Sequence, residues 1–152
     1  HGGGPAINDM LKKVGKESRF VNGLRYTDAE TMGIVQQVLA GHGQQGSWLR
    51  LAQGARVSAF AAMERPHVSC AGAKPIADLG FVGEIERVNT TLIDHLLADS
   101  FIPVIATVGM DKNGVPYNIN ADTAAAEIAI ALHAEKARQH DGYCWPAPRQ
   151  KR

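Results

Sequence analysis

The stretch that decides the fold class is FIPVIATV, residues 101–108. Its apolar residues are consecutive rather than alternating, so a strand formed here would be apolar on both faces. Such strands are typical of a parallel sheet that helices cover on each side. Residues 79–88 (LGFVGEIERV) indicate a second strand segment. Asn113-Gly114 offers a hairpin turn that leads into residues 117–120 (YNIN).

Two helices are predicted before these strands. The first includes Pro5 in its opening turn, where the missing N–H costs nothing, and Gly15 can close it. Its apolar face is formed by Ile7, Leu11 and Val14. The second helix is predicted to start at Thr27, with Glu30 three residues later as the other half of a capping box.

Two more helices are predicted around the central strand. One follows Asn89-Thr90, and the residues expected to be buried on it are Leu92, Ile93, Leu96 and Leu97. The other runs from about residue 123 to 133, with Asp122 as its N-cap. Helices that alternate with buried strands predict an α/β fold, with three αβα layers and a mainly parallel central sheet.

Composition narrows the function classes. The chain has 152 residues, is 45% hydrophobic and carries a formal net charge of +1, which argues against a general nucleic-acid binder. Two cysteines, Cys70 and Cys144, are too few for a disulfide framework or a cysteine-rich zinc site. No apolar run approaches the roughly 20 residues that span a bilayer. The six histidines do not have the spacing of a helical metal site.

The triple glycine Gly2-Gly3-Gly4 stands immediately before the first predicted helix. Successive glycine N–H groups can point into one concavity, and a helix N-terminus adds partial positive charge there. Proteins hold phosphate in this way without cationic side chains. By itself the pattern also fits a plain glycine-rich connection.

Four motifs occur in one order along the chain: HGGGPAIN (1–8), NGLRYTDAETM (22–32), LGFVGEIERVN (79–89) and YNINADTAAAEIA (117–129). Together they resemble the acetylglutamate kinases of the amino acid kinase family. The matched stretches are residues 1–40 and 78–135. The resemblance implies an incomplete amino acid kinase fold. It also implies ATP-dependent phosphorylation of the γ-carboxylate of N-acetyl-L-glutamate in arginine biosynthesis.

The resemblance implies a substrate site that is built from three segments. Gly3 and Gly4 would offer backbone N–H groups to the acceptor carboxylate and to the phosphoryl group in transit. Arg25 would bind the α-carboxylate of acetylglutamate through a bidentate pair. Asn118 would hold the substrate from the other side, and Asn120 would help to shape the site.

The resemblance also implies a catalytic residue, a co-substrate and an assembly. Asp122 would orient catalytic lysines, because an ionised acceptor carboxylate needs no general base at neutral pH. ATP would be the phosphoryl donor and would carry Mg²⁺. The helix at residues 27–40 would be the contact of a homo-oligomer, since the matching helix of the family lies at a dimer interface.

Two stretches depart from the family pattern. Residues 1–136 are interpreted as a partial kinase domain, the acetylglutamate-binding lobe, within which residues 41–77 are aberrant. Residues 137–152 are interpreted as an aberrant tail in place of the ATP lobe. Reading both stretches in shifted frames yields family-like segments, so frame-shifted translation is the hypothesis. We therefore expect both stretches to be irregular, and the chain to be an inactive fragment.

Two alternatives stay open. One is the kinase-like domain of an acetylglutamate synthase, in which the family pattern usually puts arginine or another residue where Gly3 and Gly4 stand. The other is a non-catalytic interaction module of the same fold. The location implied by the resemblance is the cytoplasm in a bacterium, and a plastid or mitochondrion in a eukaryote.

Overall fold

The computed structural model describes residues 2–42, 56–61 and 71–138. The helices in these ranges are α1 Gly4–Lys13, α2 Ala29–Gln37, α3 Thr91–Ala98 and α4 Ala121–Ala131, and a π-helical turn, Val38–His42, extends α2. The strands are β1 Phe20–Val21, β2 Leu24–Arg25, β3 Arg56–Ala61, β4 Ala71–Pro75, β5 Val82–Val88, β6 Phe101–Ala106, β7 Val108–Met110 and β8 Pro116–Ile119.

The predicted central strand forms, and it has a parallel partner. β6 pairs with β3 over six positions, from Arg56 opposite Phe101 to Ala61 opposite Ala106. The strand ends at Ala106 rather than at Val108, because Thr107 breaks the run and Val108 begins β7. Helices therefore combine with parallel strands, and the α/β fold class is confirmed.

The expectation of irregular structure over residues 41–77 is wrong for two segments. Residues 56–61 form β3, and residues 71–75 form β4, which pairs antiparallel with β5. The pairing of β3 with β6 joins residues that are 45 positions apart, so no local periodicity marks β3. Residues 43–55 and 62–70 lie outside the described residues, and so does the predicted tail beyond Arg138.

Four strands close on one another beside this parallel pair. β4 pairs with β5, β5 with β8, β8 with β7 and β7 with β4. The predicted Asn113-Gly114 turn joins β7 to β8, and the carboxylate of Asp111 holds it by accepting from the Asn113 and Val115 N–H groups. These backbone bonds lower the pKa of Asp111. The turn sets the register that places Asn118 opposite Val108.

Two helix starts differ from prediction. Asp28, not Thr27, is the N-cap of α2, and its carboxylate accepts from the Thr31 N–H. Asn120, not Asp122, is the N-cap of α4 and accepts from the Asp122 and Thr123 N–H groups. The predicted start of α2 is one residue too early, and the predicted cap of α4 is two residues too late. Each segment contains several residues that can cap a helix.

The hydrophobic core packs α1 and α2 onto the junction of β6 and β7. Ile7 and Leu11 of α1 are buried as predicted, whereas Val14 is 54% exposed after the helix ends. Burying one such aliphatic side chain contributes about 1.5–3 kcal/mol. On α3 only Ile93 is fully buried, and Leu97 is 48% exposed, contrary to expectation. The buried residues of the core that joins α1, α2 and the junction of β6 and β7 include Ile7, Leu11, Met32, Val35, Val38, Leu39, Ala106 and Val108.

No helix within the described ranges is long and apolar enough to cross a membrane.

Candidate functional site

A cavity of about 190 Å³ lies where three segments meet: the start of α1, the β1–β2 hairpin and the passage from β8 to α4. Its lining includes every residue predicted to bind substrate, namely Gly3, Gly4, Arg25, Asn118 and Asn120. A second cavity, of about 210 Å³ between β6 and α4, has no charged side chain in its lining. The predicted substrate residues thus share one cavity, and that cavity contains a charge.

The N-terminus of α1 opens into this cavity without a side-chain cap. Gly3 is the N-cap residue and makes no side-chain cap hydrogen bond, and the first intrahelical bond runs from Ile7 N to Gly3 O. The first N–H groups of a helix have no partner within the helix. The backbone of α1 can therefore donate to an anion in the cavity.

Two glycines of the run stand in close packing contacts. A Cβ on Gly2 would lie 2.9 Å from Cβ of Ala121, and one on Gly3 would lie 2.7 Å from Cδ2 of Leu39. A Cβ on Gly4 would meet nothing within 4 Å. The first two glycines thus let the chain approach α4 and the core, while Gly4 is not held to glycine by space.

Arg25 is a nearly buried cation with neutral partners. It is 8% exposed, and its Nη1 donates to Asn8 Oδ1 and to Ser18 Oγ, each at 2.7 Å. Nη2 lies 3.4 Å from the Gly4 carbonyl oxygen. Among the residues that the structure describes, no carboxylate forms an ion pair with Arg25. Burial lowers the pKa of the guanidinium, which stays protonated at neutral pH.

An aromatic ring and a tight turn complete the surroundings of Arg25. The guanidinium lies 4.7 Å from the ring centroid of Phe20 on the neighbouring strand. Asn22 and Gly23 join β1 to β2 with φ of 50° and 81°, as a two-residue hairpin turn requires. The hairpin therefore places Phe20 directly opposite Arg25.

Asn118 reaches the cavity from β8 and bonds to a buried hydroxyl. Its Nδ2 donates to Thr27 Oγ1 at 3.2 Å, and the Thr27 hydroxyl donates to the Arg25 carbonyl oxygen at 2.8 Å. Thr27 is fully buried. The Thr27 hydroxyl thereby links the segments of Asn118 and Arg25, which are far apart in sequence.

Asn120 and Asp122 occupy different places from each other. Asn120 lines the cavity, but its side-chain oxygen is engaged as the N-cap of α4. Asp122 lies in the exposed first turn of α4 and is not in the cavity lining. The Asn120 side chain therefore caps N–H groups at the start of α4, whereas no side chain caps the start of α1.

Sequence reasoning missed the partners of Arg25. Asn8 lies within the quoted motif HGGGPAIN, four residues after Gly4 and so on the same face of α1, which was a usable signal. Ser18 gave no signal, and Thr27 lies in the quoted motif NGLRYTDAETM but was predicted only as a helix start, because its contacts join distant segments.

The match to a family model covers residues 1–138, and that model describes the amino acid kinase family. The chain belongs to the amino acid kinase family. Curated members at high similarity are acetylglutamate kinases. That of Hydrogenovibrio crunogenus is 45% identical over 148 residues, covering 90% of this chain and 50% of that protein. That of Actinobacillus pleuropneumoniae is 48% identical over 136 residues, covering 90% of this chain and 47% of that protein.

Solved structures share the amino acid kinase fold. The protein smu.665 of Streptococcus mutans matches with a TM-score of 0.82 and 31% identity, over 88% of this chain and 55% of that one. An N-acetylglutamate synthase of Neisseria gonorrhoeae matches with a TM-score of 0.71 and 23% identity, over 89% of this chain and 31% of that one, a likeness of fold. This amino acid kinase chain spans about half the length of the curated relatives it matches.

Proposed function

We propose that this chain is the acceptor-binding part of an acetylglutamate kinase, the enzyme that phosphorylates the γ-carboxylate of N-acetyl-L-glutamate in arginine biosynthesis. The observation that carries the proposal is Arg25, a cation that is 8% exposed and whose partners are neutral. A buried charge is costly unless it is paired. An anionic ligand in the cavity would supply the missing partner.

The remaining groups suit the rest of that ligand. Arg25 would hold the α-carboxylate, and Asn118 would hold the substrate from the β8 side. The γ-carboxylate and the transferring phosphoryl group would lie at the N–H groups of Gly3 and Gly4, where the helix N-terminus favours negative charge. Asn120 would shape the cavity through its cap of α4.

The phosphoryl donor is proposed to be ATP. No general base is required, because the acceptor carboxylate is ionised at neutral pH. Magnesium would come with the nucleotide and neutralise phosphoryl charge, as Mg²⁺ is commonly held through substrate phosphates. Asp122, exposed beside the cavity rim, would orient catalytic lysines.

We propose further that the 152-residue chain alone does not turn over. In the family pattern the phosphate-neutralising lysines lie outside the stretches that this chain matches, and losing one such group costs on the order of a hundredfold or more. Residues 41–77 and 137–152 remain proposed as aberrant relative to that pattern. A homo-oligomer through the helix at 27–40 and, for a bacterial protein, a cytoplasmic location also remain proposals.

The kinase reading is preferred to a synthase-type domain because the α1 N-terminus has no side-chain cap and can receive a phosphoryl group. The test is calorimetric titration of the chain with N-acetyl-L-glutamate. Arg25→Ala should weaken binding by about 1–3 kcal/mol, roughly 5- to 150-fold in Kd. Arg19→Ala is the matched control, since Arg19 lies on the opposite arm of the same hairpin, over Tyr26 and outside the cavity lining. Equal binding by both variants would refute the proposal.

A further inference from the structure

Thr27 is the most deeply buried polar residue beside the cavity. Its relative exposure is 0%, yet it is not among the residues that line the cavity. A buried hydroxyl needs hydrogen-bond partners, and which partners it takes decides what it holds in place. Here the hydroxyl donates to the Arg25 carbonyl oxygen at 2.8 Å and accepts from Asn118 Nδ2 at 3.2 Å.

The backbone of Thr27 is itself fixed, so the hydroxyl has a defined position. Thr27 N donates to the Leu79 carbonyl oxygen at 3.1 Å, and Phe81 N donates to the Thr27 carbonyl oxygen at 2.6 Å. Gly80, between Leu79 and Phe81, has a φ of 70°, and a Cβ there would overlap the Thr27 carbonyl. Phe81 in turn accepts from Asn118 N at 2.8 Å through its carbonyl oxygen. Thr27 is therefore held by the segment that also holds the backbone of Asn118.

The hydroxyl also fixes how the Asn118 amide is oriented. Because Nδ2 donates to Thr27, the side-chain oxygen of Asn118 is turned away from that hydroxyl. Without the hydroxyl, the amide could rotate and present its two ends in either order. The same loss would leave the Arg25 carbonyl without this donor at the point where β2 ends.

We infer that Thr27 is a positioning residue for ligand binding, which holds Arg25 and Asn118 in register through its hydroxyl. The inference rests on the proposed function for the identity of the ligand, N-acetyl-L-glutamate. It assigns no contact between Thr27 and that ligand. Thr27 does not line the cavity and acts only through two residues that do, Arg25 and Asn118.

The experiment compares three variants of the 152-residue chain. Thr27→Val removes the hydroxyl and keeps the shape, and Thr27→Ser keeps the hydroxyl. Thr31→Val is the matched control, because Thr31 is also a buried threonine but lies in α2 outside the cavity lining. Each variant is titrated with N-acetyl-L-glutamate, and the side-chain amide resonances of Asn118 are recorded by NMR without ligand.

Thr27→Val should raise Kd about threefold to tenfold, as for the loss of a neutral hydrogen bond. It should also move the Asn118 side-chain amide resonances, while Thr27→Ser and Thr31→Val should leave both readouts near those of the original chain. A purely structural role would lower stability in Thr27→Val without moving these resonances, and that result would overturn the inference. Unchanged affinity in a folded Thr27→Val chain would overturn it as well.

Failure of the proposed function has a different signature. In that case the original chain does not bind N-acetyl-L-glutamate at all, and Arg25→Ala has nothing to weaken. The Asn118 resonances then still decide whether Thr27 holds the amide, because they are read without ligand. A shift restricted to Thr27→Val would leave the positioning contact standing and remove only its assignment to this ligand.

Discussion

Adding one methyl group to Gly3 should destabilise the fold, whereas adding one to Gly4 should not. A Cβ on Gly3 would lie 2.7 Å from Cδ2 of Leu39, and carbon atoms in contact normally stand about 3.5–4.0 Å apart. The tip of Leu39 must therefore move by roughly 1 Å. Leu39 is 1% exposed and belongs to the α1–α2 core, and it also lines the cavity, so a shift of its tip disturbs the packing of that core.

The expected cost follows from that close contact. Overpacking a core by a methyl group costs about 1–3 kcal/mol. Urea unfolding of Gly3→Ala should show this loss at an unchanged m-value.

Gly4→Ala is the matched control. A Cβ there meets nothing within 4 Å, and the position is helical, so alanine should stabilise by up to about 1 kcal/mol. Leu39→Val provides the second control, because it shortens the clashing side chain. The cost of Gly3→Ala should be smaller in that background by about 0.5 kcal/mol or more. If Gly3→Ala is as stable as the original chain, or if the two costs simply add, the steric argument is refuted.

Three further predictions concern single contacts. Asn8→Leu removes an acceptor of Arg25 Nη1 and should raise Kd for N-acetyl-L-glutamate about threefold to tenfold by calorimetry, whereas Asp9→Leu should not. Asp28→Ala removes the α2 N-cap and should lower the unfolding free energy by about 1 kcal/mol at pH 7. Lys16 and Thr31 hold the pKa of Asp28 at about 2, below its usual 3.8, so this difference should be complete above pH 4 and vanish as pH falls through 2. Gly83→Ala places a Cβ 2.8 Å from that of Tyr117 and should cost about 1–3 kcal/mol in urea unfolding.

Each of these predictions has a contradicting result. Equal affinities of Asn8→Leu and Asp9→Leu would show that Arg25 needs no help from Asn8. A stability difference of Asp28→Ala that persists unchanged below pH 2 would show that its charge is not involved. A Gly83→Ala chain as stable as the original would show that β5 and β8 can separate without cost.

The sequence predicted those elements whose formation depends on residues close together in the chain. Pro5, Ile7 and Leu11 gave α1 nearly at its observed bounds, because the helix period and the first-turn proline act within a few residues. The consecutive apolar residues of β6 likewise indicated a strand with a parallel partner. The partner itself could not be found, because β3 is identified only by pairing with a strand that lies far along the chain.

The choice of helix cap shows where local reasoning stops. The run Asn118-Ile119-Asn120-Ala121-Asp122 contains three residues able to cap a helix. Asn120 is chosen because β8 continues through Ile119, so the chain can turn into α4 only after that residue. Asn118 stays in the strand and faces Thr27, and Asp122 is left in the exposed first turn. The end of the strand therefore assigns different places to three similar side chains.

The proposed binding of an anion would explain why the partners of Arg25 are neutral. A carboxylate beside the guanidinium would hold it just as firmly as Asn8 and Ser18 do, but it would also cancel the charge that the proposed anionic ligand would meet. Amide and hydroxyl oxygens at 2.7 Å orient the group and leave the charge available. The Phe20 ring lies against the guanidinium without neutralising it. The fold thus holds Arg25 in an oriented and unneutralised state, and binding of the proposed ligand would then require little further ordering of the side chain.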